Sequence, residues 1–242
     1  MKYIISIFLL FIVYISFSFG RYSRKNCILV FSKTSGFRHS SIPQGKTAIQ
    51  QLGRENGFRV DTTEDASQFN LSNLKKYAAV VFLSTTGNVL NDQQQVDFEQ
   101  YIRGGGGYVG VHAASDTEYD WPWYGKLVGA YFESHPAQQE AILIVKDHQH
   151  ISTRHLPEEW KRKDEWYNFK DISPAMNVLI TIDESSYSGG KNGAYHPMSW
   201  YHHYDGGRAW YTALGHTEAS YSEENFLKHL LGGIQYATGR AK

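Results

Sequence analysis

Strand-like and helix-like segments alternate along the first half of the chain. Short runs rich in β-branched or aromatic residues predict strands at 28–31, 58–62, 78–84 and 108–111. Apolar residues recur at helical spacing in 44–56, a short helix fits 71–76, and Asn91 or Asp92 can cap the next helix. Because short connections join these segments, we expect a parallel sheet with helices packed on both faces.

The second half of the chain adds further strands and one helix. Strand-like runs lie at 141–145, 178–182, 198–202 and 209–213. Asp205-Gly206-Gly207 is typical of a hairpin turn between the last two runs. A final helix is predicted from Ser222, since Glu223 and Glu224 would lie in its first turn. The alternation predicts a single α/β domain over residues 21–242.

The N-terminal segment has the pattern of an export signal. Lys2 precedes an uncharged apolar run at 3–19, and small residues and positive charges follow. We therefore expect residues 1–20 to act as a signal peptide and the protein to be periplasmic or secreted. The alternative is an uncleaved membrane anchor at 3–19, which is just long enough to span a bilayer.

Composition excludes several classes of function. The 242 residues include 24 Lys and Arg against 24 Asp and Glu, so the charge balance argues against a nucleic-acid-binding protein. A single cysteine excludes a disulfide framework and a thiolate metal cluster within the chain. Cys27 lies in the first predicted strand, where we expect it to be a small buried hydrophobic residue.

Three histidines follow predicted strands. His39, His112 and His216 come shortly after the first, fourth and last of these strands. Ligands of open parallel sheets bind at the carboxyl ends of the strands. We therefore expect these imidazoles to converge at one edge of the sheet.

The segment around His112 has the clearest sequence pattern. Gly110 and Ala114 flank this histidine as small residues flank a nucleophile on a sharp strand-to-helix turn. An imidazole at such a turn can bind a metal or transfer a proton near neutral pH. The alternative is a turn histidine that only hydrogen-bonds backbone.

These motifs together resemble the trehalose-utilisation (ThuA-like) family. The residues that carry the resemblance are Gly36-Phe37-Arg38-His39, the Gly-rich run from Gly104 through His112 and Asp116, His135-Pro136, Asp164-Glu165-Trp166-Tyr167 and Gly215-His216. The resemblance implies a class I glutamine-amidotransferase-like fold: a three-layer, flavodoxin-like α/β structure with a mostly parallel sheet. It also implies a role in carbohydrate metabolism. It does not imply glutaminase activity, because His112 stands where amidotransferases have their nucleophilic cysteine.

Candidate roles follow from the chemistry of the motif residues. The candidate acid–base residues are His112, His39, Glu165 and Asp116. The candidate sugar contacts are Arg38, His135, Trp166, Tyr167 and His216. The candidate ligands of a divalent metal such as Zn²⁺ are His39, His112 and His135.

Each of these residues also has a structural interpretation. Arg38 could pair with a surface acid, and Asp116 could cap the segment that follows it. Trp166 could desolvate Glu165 and raise the pKa of its carboxyl, or Glu165 could be a surface charge. Aromatic residues such as Trp121, Trp123 and Tyr124 could stack on sugars or build the core or a dimer surface. The remaining histidines that we interpret as solvated or helix-surface residues are His148, His150, His155 and His229.

The sequence leads to two functional hypotheses. The first is an exported carbohydrate-active enzyme, a hydrolase or related enzyme that acts on a glycoside or keto-sugar at a His-rich, metal-assisted site. The alternative is a non-catalytic sugar-binding accessory protein on the same fold. Both predict a carbohydrate ligand and no nucleic-acid partner, and both leave a homodimer open.

Overall fold

The computed structural model describes residues 26–240, which form one large sheet, a two-stranded sheet and the helices around them. The strands are β1 (Cys27–Phe31), β2 (Arg59–Thr63), β3 (Ala79–Leu83), β4 (Gly107–Val111), β5 (Tyr131–Ser134), β6 (Gln139–Val145), β7 (Glu159–Asp164), β8 (Asn168–Lys170), β9 (Asn177–Ile182), β10 (Pro197–Tyr204) and β11 (Gly207–Thr212). The helices are α1 (Ile42–Glu55), α2 (Leu71–Leu74), α3 (Asp92–Arg103), α4 (Pro122–Val128) and α5 (Glu224–Ala237).

The main sheet has a parallel half and an antiparallel half. Its nine strands run in the order β2-β1-β3-β4-β11-β10-β9-β6-β7. The first five are parallel to their neighbours, as expected. From β11 onward each pair is antiparallel. The predicted α/β fold with a mostly parallel sheet is therefore confirmed, and a meander extends it at one edge.

Helices cover both faces of the parallel half. Tyr108 and Gly107 are neighbours on β4, so they face opposite sides of the sheet. The Tyr108 hydroxyl hydrogen-bonds that of Tyr124 on α4 at 2.8 Å. On the other face, a Cβ on Gly107 would lie 2.3 Å from the backbone oxygen of Ala237 on α5. Glycine at this position therefore lets α5 pack directly on β4.

The predicted cap and hairpin are both present. Asn91 accepts a hydrogen bond from the backbone N–H of Gln94, whose side chain accepts one from the N–H of Asn91 in return, which starts α3 with a capping box. Asp205 and Gly206 join β10 to β11 with φ values of 46° and 94°. Two successive positive φ values give the turn whose twist matches a two-residue hairpin.

The core buries Cys27 and two histidines, His150 and His229. Cys27 is buried, as predicted. His150 and His229 are buried too, so their interpretation as solvated or helix-surface residues is wrong. Each lies beside Ser152: His150 bonds its hydroxyl, and the Nδ1–H of His229 donates to its carbonyl at 2.8 Å. These local bonds let the core accept neutral imidazoles.

The proposed leader at residues 1–20, the alternative anchor at 3–19 and the predicted start of the mature domain at 21 lie outside the described residues. Between residues 26 and 240, each helix is too short or too polar to cross a bilayer.

Candidate active site at the carboxyl edge of the sheet

Three histidines and one glutamate converge where the strands end. His39, His112 and His216 follow β1, β4 and β11, and Glu165 follows β7. Each offers one nitrogen or oxygen atom, and these four atoms lie within 4.8 Å of one another. The predicted convergence of the three imidazoles is confirmed, and we call these four residues the His–Glu cluster.

The backbone at His112 forms the sharp turn that the flanking small residues predicted. His112 has a φ of +50°, a left-handed conformation that is uncommon for residues other than glycine. A Cβ on Gly110 would lie 2.8 Å from the hydroxyl oxygen of Tyr108 and 2.8 Å from the ring of Tyr211. The Tyr211 hydroxyl donates to the carbonyl of His112 at 2.7 Å. The turn is thus held from both sides, and it aims the imidazole at the cluster.

The hydrogen bonds of His112 fix its tautomer. Its Nδ1 lies 2.8 Å from the carbonyl oxygen of Ala213, which can only accept, so Nδ1 carries a proton. In the neutral ring the lone pair is then on Nε2. This atom lies 3.1 Å from Nδ1 of His216 and 3.4 Å from Oε2 of Glu165. A backbone carbonyl that orients an imidazole in this way is the usual support of a metal-binding histidine.

Glu165 connects the buried cluster to the site entrance. Its Oε2 lies 3.0 Å from Nδ1 of His216, and its Oε1 lies 3.2 Å from Nδ1 of His135. The Nδ1 of His135 also lies 2.9 Å from the carbonyl oxygen of Pro136, so this nitrogen donates its proton. The side chain of His135 is 43% exposed, which leaves its ring accessible at the mouth of the site.

His39 is the buried member of the cluster at the end of β1. It is 4% exposed, and its Nδ1 has no hydrogen-bond partner within residues 26–240. Its ring lies 4.7 Å from that of His112 and 5.1 Å from that of His216, nearly perpendicular to both. Burial, followed by the charge of His112, lowers the pKa of His39 to about 3. The imidazole is therefore neutral at physiological pH, with a lone pair available.

The pKa of the Glu165 carboxyl is lowered, whereas the sequence suggested that it could be raised. Burial acts to raise the pKa of its carboxyl, but hydrogen bonds from His112 and His216 and their charges outweigh burial and lower it. The expectation that the neighbouring indole would raise this pKa is therefore wrong. Glu165 is an ionised carboxylate at neutral pH, which suits a metal ligand or a partner of a charged imidazole.

The donor set of the His–Glu cluster fits a divalent cation. Imidazole nitrogens with one carboxylate oxygen are ligands that Zn²⁺ and similar ions prefer. Oε2 of Glu165 lies 3.4 Å from Nε2 of His112 and 3.0 Å from Nδ1 of His216, so a positive charge at this point, carried by an imidazole proton or by a metal ion, stabilises the arrangement. The group differs from the predicted ligand set: it lacks His135, and it contains Glu165 and His216 beside His39 and His112.

Of the other predicted site residues, Tyr167 packs against the cluster and Asp116 does not belong to it. Tyr167 packs its ring 4.3 Å from that of His112. Asp116 accepts a hydrogen bond from the hydroxyl of Tyr119 at 2.7 Å, and burial raises the pKa of its carboxyl. It neither orients His112 through Nδ1, which Ala213 occupies, nor belongs to the cluster.

Two of the predicted sugar contacts, Arg38 and Trp166, hydrogen-bond other parts of the protein. Arg38 forms two hydrogen bonds to the carboxylate of Glu64 on the surface, which is its structural interpretation. Trp166 is completely buried, and its indole N–H donates to the carbonyl of Gln139. Its indole therefore offers no face to a ligand.

Three neighbours of the site were missed by sequence reasoning. Gln138 lies 2.8 Å from Nε2 of His216, and no pattern in the sequence marks it. Phe37 exposes its ring beside His39, and its place in Gly36-Phe37-Arg38-His39 was the available signal. Asp164 accepts the N–H of both Glu165 and Gly215 at 3.0 Å, which brings the ends of β7 and β11 together.

Two further buried histidines, His196 and His202, hydrogen-bond the scaffold. Nδ1 of His196 lies 2.8 Å from the carboxylate of Glu184, and its Nε2 lies 2.7 Å from the carbonyl of Tyr167. His202 is buried on β10 and bonds the carbonyl of Lys126. Neither belongs to the His–Glu cluster.

Solved structures with this fold include proteins of similar length and parts of larger enzymes. ThuA-like proteins from Bacteroides uniformis and Parabacteroides merdae match with TM-scores of 0.75 and 0.73 at 23% and 22% identity. The alignments cover 88% of this chain in both cases, and 91% and 89% of the other chains. A β-galactosidase from Bacillus circulans sp. alkalophilus has a TM-score of 0.57 at 12% identity, over 89% of this chain and 31% of that one. At these identities the likeness shows the fold alone.

Sequence comparison identifies the family. No curated protein matches the chain. The family model described as ThuA, trehalose utilisation, matches residues 27–237, which include every member of the His–Glu cluster. This match covers most of the sequence, and the chain therefore belongs to the ThuA (trehalose utilisation) family of carbohydrate-utilisation proteins.

Proposed function

We propose that this protein is an exported carbohydrate-active enzyme whose His–Glu cluster binds a divalent metal, zinc or an ion of similar preference. Its substrate would be a glycoside or a keto-sugar, and its reaction hydrolytic or closely related. The carrying observation is the convergence of four ligand atoms within 4.8 Å at the carboxyl edge of the sheet. Membership of a carbohydrate-utilisation family supports the substrate class, and the pattern of residues 1–20 supports export.

The charges and lone pairs of the cluster residues favour a bound cation. The Nδ1–H of His112 is committed to Ala213, and the pKa of about 3 keeps His39 neutral. Glu165 is ionised, so its negative charge and the lone pair of neutral His39 face the same small volume. A divalent ion held there would offset this charge and accept the imidazole lone pair.

The residues around the cluster supply acid–base chemistry. A metal held there would act as a Lewis acid toward an oxygen of the sugar. His135 keeps its proton on Nδ1, which leaves Nε2 free to accept a proton from a sugar hydroxyl or a water molecule. Oε1 of Glu165, 3.2 Å from that Nδ1, would stabilise the imidazolium that forms. His135 is therefore the residue that we assign to proton transfer.

A glycosidase mechanism with two carboxylates receives less support. Glu165 is the one carboxylate of the cluster, and its pKa is lowered, whereas a general acid needs a raised one. Asp116 has a raised pKa but hydrogen-bonds Tyr119. A glutaminase mechanism is disfavoured because His112 occupies the turn and Cys27 is buried in β1.

The lack of a second carboxylate in the cluster favours one alternative, a non-catalytic sugar-binding accessory protein. Such a protein would bind sugars through the same edge of the sheet and release no product. The two proposals differ in one measurable quantity, turnover.

The test combines elemental analysis with turnover assays. We expect the purified protein to contain about one equivalent of zinc or a similar ion, and to convert a member of a panel of glycosides and 3-keto-glycosides. His112→Ala and His216→Ala should each abolish metal content, while exposed His203→Ala should retain it. Thermal unfolding identifies variants that fail to fold.

The outcomes separate the parts of the proposal. Protein that binds no divalent metal, even after titration with zinc, would exclude the metal-assisted mechanism. Metal-loaded protein that binds a sugar of the panel without forming product would favour the accessory function.

A further inference from the structure

An exposed phenylalanine borders the His–Glu cluster. Phe37 is 67% exposed, and the other large hydrophobic residues with exposed side chains in 26–240 are Val96 and Tyr195. The ring of Phe37 lies 4.9 Å from that of His39, at an interplanar angle of 84°. One imidazole therefore separates this apolar surface from His112. Exposing an aromatic ring to water costs free energy that burial against a ligand would recover.

The position of Phe37 is fixed by its backbone. The N–H of Gly36 donates to the Thr86 hydroxyl at 3.2 Å, and this hydroxyl donates to the carbonyl of Phe37 at 2.9 Å. The N–H of Ser35 also donates to the carbonyl of Thr86 at 2.8 Å. The loop after β1 is thus bound to the segment after β3 through both the hydroxyl and the backbone carbonyl of Thr86. The exposure of the ring is therefore a feature of an anchored loop.

We infer that Phe37 is a stacking platform for a pyranose ring of the substrate. This inference rests on the proposed function, because it requires a sugar at the cluster. The C–H face of a pyranose is apolar, while its hydroxyls lie around the rim, so an aromatic ring can bind the face and leave the hydroxyls free. A sugar seated on Phe37 directs its rim, or the next sugar unit, toward His39 and the other cluster residues. Phe37 thereby contributes affinity and orientation, while the cluster contributes chemistry.

The chemistry of the loop favours a sugar over a protein partner. Phe37 is a single exposed ring, and its neighbour Arg38 pairs with Glu64 and adds charge beside it. A protein interface needs a larger continuous apolar area. A single ring next to polar groups matches the size of one sugar unit.

The experiment measures sugar and metal binding in the same variants. The zinc-loaded full chain is titrated with trehalose, maltose and cellobiose. Calorimetry and saturation-transfer NMR measure the binding of each sugar. We expect Phe37→Ala to bind the best of these sugars about tenfold more weakly, whereas Phe37→Trp restores binding. Val96→Ala is the matched control, since it removes another exposed apolar side chain and should bind as the wild type does.

Zinc affinity distinguishes this inference from the proposed function. Phe37→Ala should bind zinc with unchanged affinity and unfold at an unchanged temperature, because the ring is exposed. Unchanged sugar affinity in Phe37→Ala would overturn the inference, as would the absence of binding by all three sugars to wild-type protein that binds zinc. Loss of zinc binding in Phe37→Ala would overturn it too, since Phe37 would then act by positioning His39. A dimer that dissociates on Phe37→Ala, with sugar affinity unchanged, would assign the ring to a protein interface.

Discussion

At the residue scale, Glu165 divides its two carboxylate oxygens between two tasks. Oε2 lies beside His112 and His216, and Oε1 lies beside His135 at the entrance. The same side chain can therefore bind a metal and support a base. The sequence proposed two carboxylates, Glu165 and Asp116, and only Glu165 belongs to the cluster.

Replacing this carboxylate should remove metal binding with little change in fold. We expect Glu165→Gln to weaken zinc binding roughly 100-fold or more, because an amide carries no negative charge and its NH₂ group would face the imidazoles. Competition with a chromophoric chelator measures the affinity. His203→Gln, on the exposed face of β10, should bind zinc normally, and equal affinities in the two variants would remove Glu165 from the ligand set.

A buried histidine away from the site should make the fold sensitive to acid. Burial lowers the pKa of His229 to about 3, while the unfolded chain has an ordinary value near 6.5. The folded state thus keeps a neutral ring that the unfolded state protonates. Its contribution to stability is complete above pH 6.5 and declines as the pH falls toward 3, by about 2 kcal/mol at pH 5.

Urea unfolding at pH 7.5 and pH 5 measures this decline. We expect His229→Gln to be less stable than the wild type at pH 7.5, since the bond to Ser152 is altered, but to lose less stability on acidification. His203→Gln should show the wild-type difference between the two pH values. A variant of His229 with an unchanged pH dependence would assign the acid sensitivity to other groups.

At the scale of elements, Asp164 joins the end of β7 to the loop after β11. It accepts the N–H of Glu165 with one oxygen and the N–H of Gly215 with the other. Its carboxylate also pairs with buried Arg162 at 3.1 Å. Two members of the His–Glu cluster are therefore positioned by a residue that does not belong to it.

We expect Asp164→Asn to lower zinc affinity about tenfold and to destabilise the fold by about 3 kcal/mol. The amide cannot accept both N–H groups equally well, and the buried guanidinium of Arg162 loses a counter-charge. Glu223→Gln is the matched control, because the carboxylate of Glu223 pairs with Arg162 at 3.2 Å and accepts the indole N–H of Trp160, and both partners lie on β7. If both variants lose stability but only Asp164→Asn loses zinc affinity, the positioning role is supported. Equal zinc affinities would limit Asp164 to a structural role.

At the scale of the whole molecule, the predicted leader at residues 1–20 can be tested separately from the folded domain. We expect expression of the full chain in a Gram-negative host to yield periplasmic protein that begins at Arg21, because the apolar run and small residues of 1–20 have the pattern of an export signal. N-terminal sequencing of each cell fraction measures this. Full-length protein in the membrane fraction would support the anchor at 3–19, and full-length protein in the cytoplasm would contradict both.

Much of the parallel half of the sheet could be predicted from local pattern. Buried strands such as β1 and β3 are continuous apolar runs, and the cap at Asn91 and the turn at Asp205–Gly206 depend on a few adjacent residues. β7 was missed because five of its six residues are charged, including buried Arg162 and Asp164, so the alternate burial leaves no apolar pattern in the sequence. β5, β8 and α4 are short, and their local patterns are correspondingly weak.

The meeting of His39, His112 and His216 could be inferred from local pattern, because parallel strands carry their carboxyl ends to one edge of the sheet. The place of Glu165 in the cluster, the position of His135 at the entrance and the burial of Trp166 emerged only from the folded chain. These positions depend on contacts between segments that are distant in the sequence. Asp164 links segments 51 residues apart in the chain, and no local pattern encodes a hydrogen bond of that range.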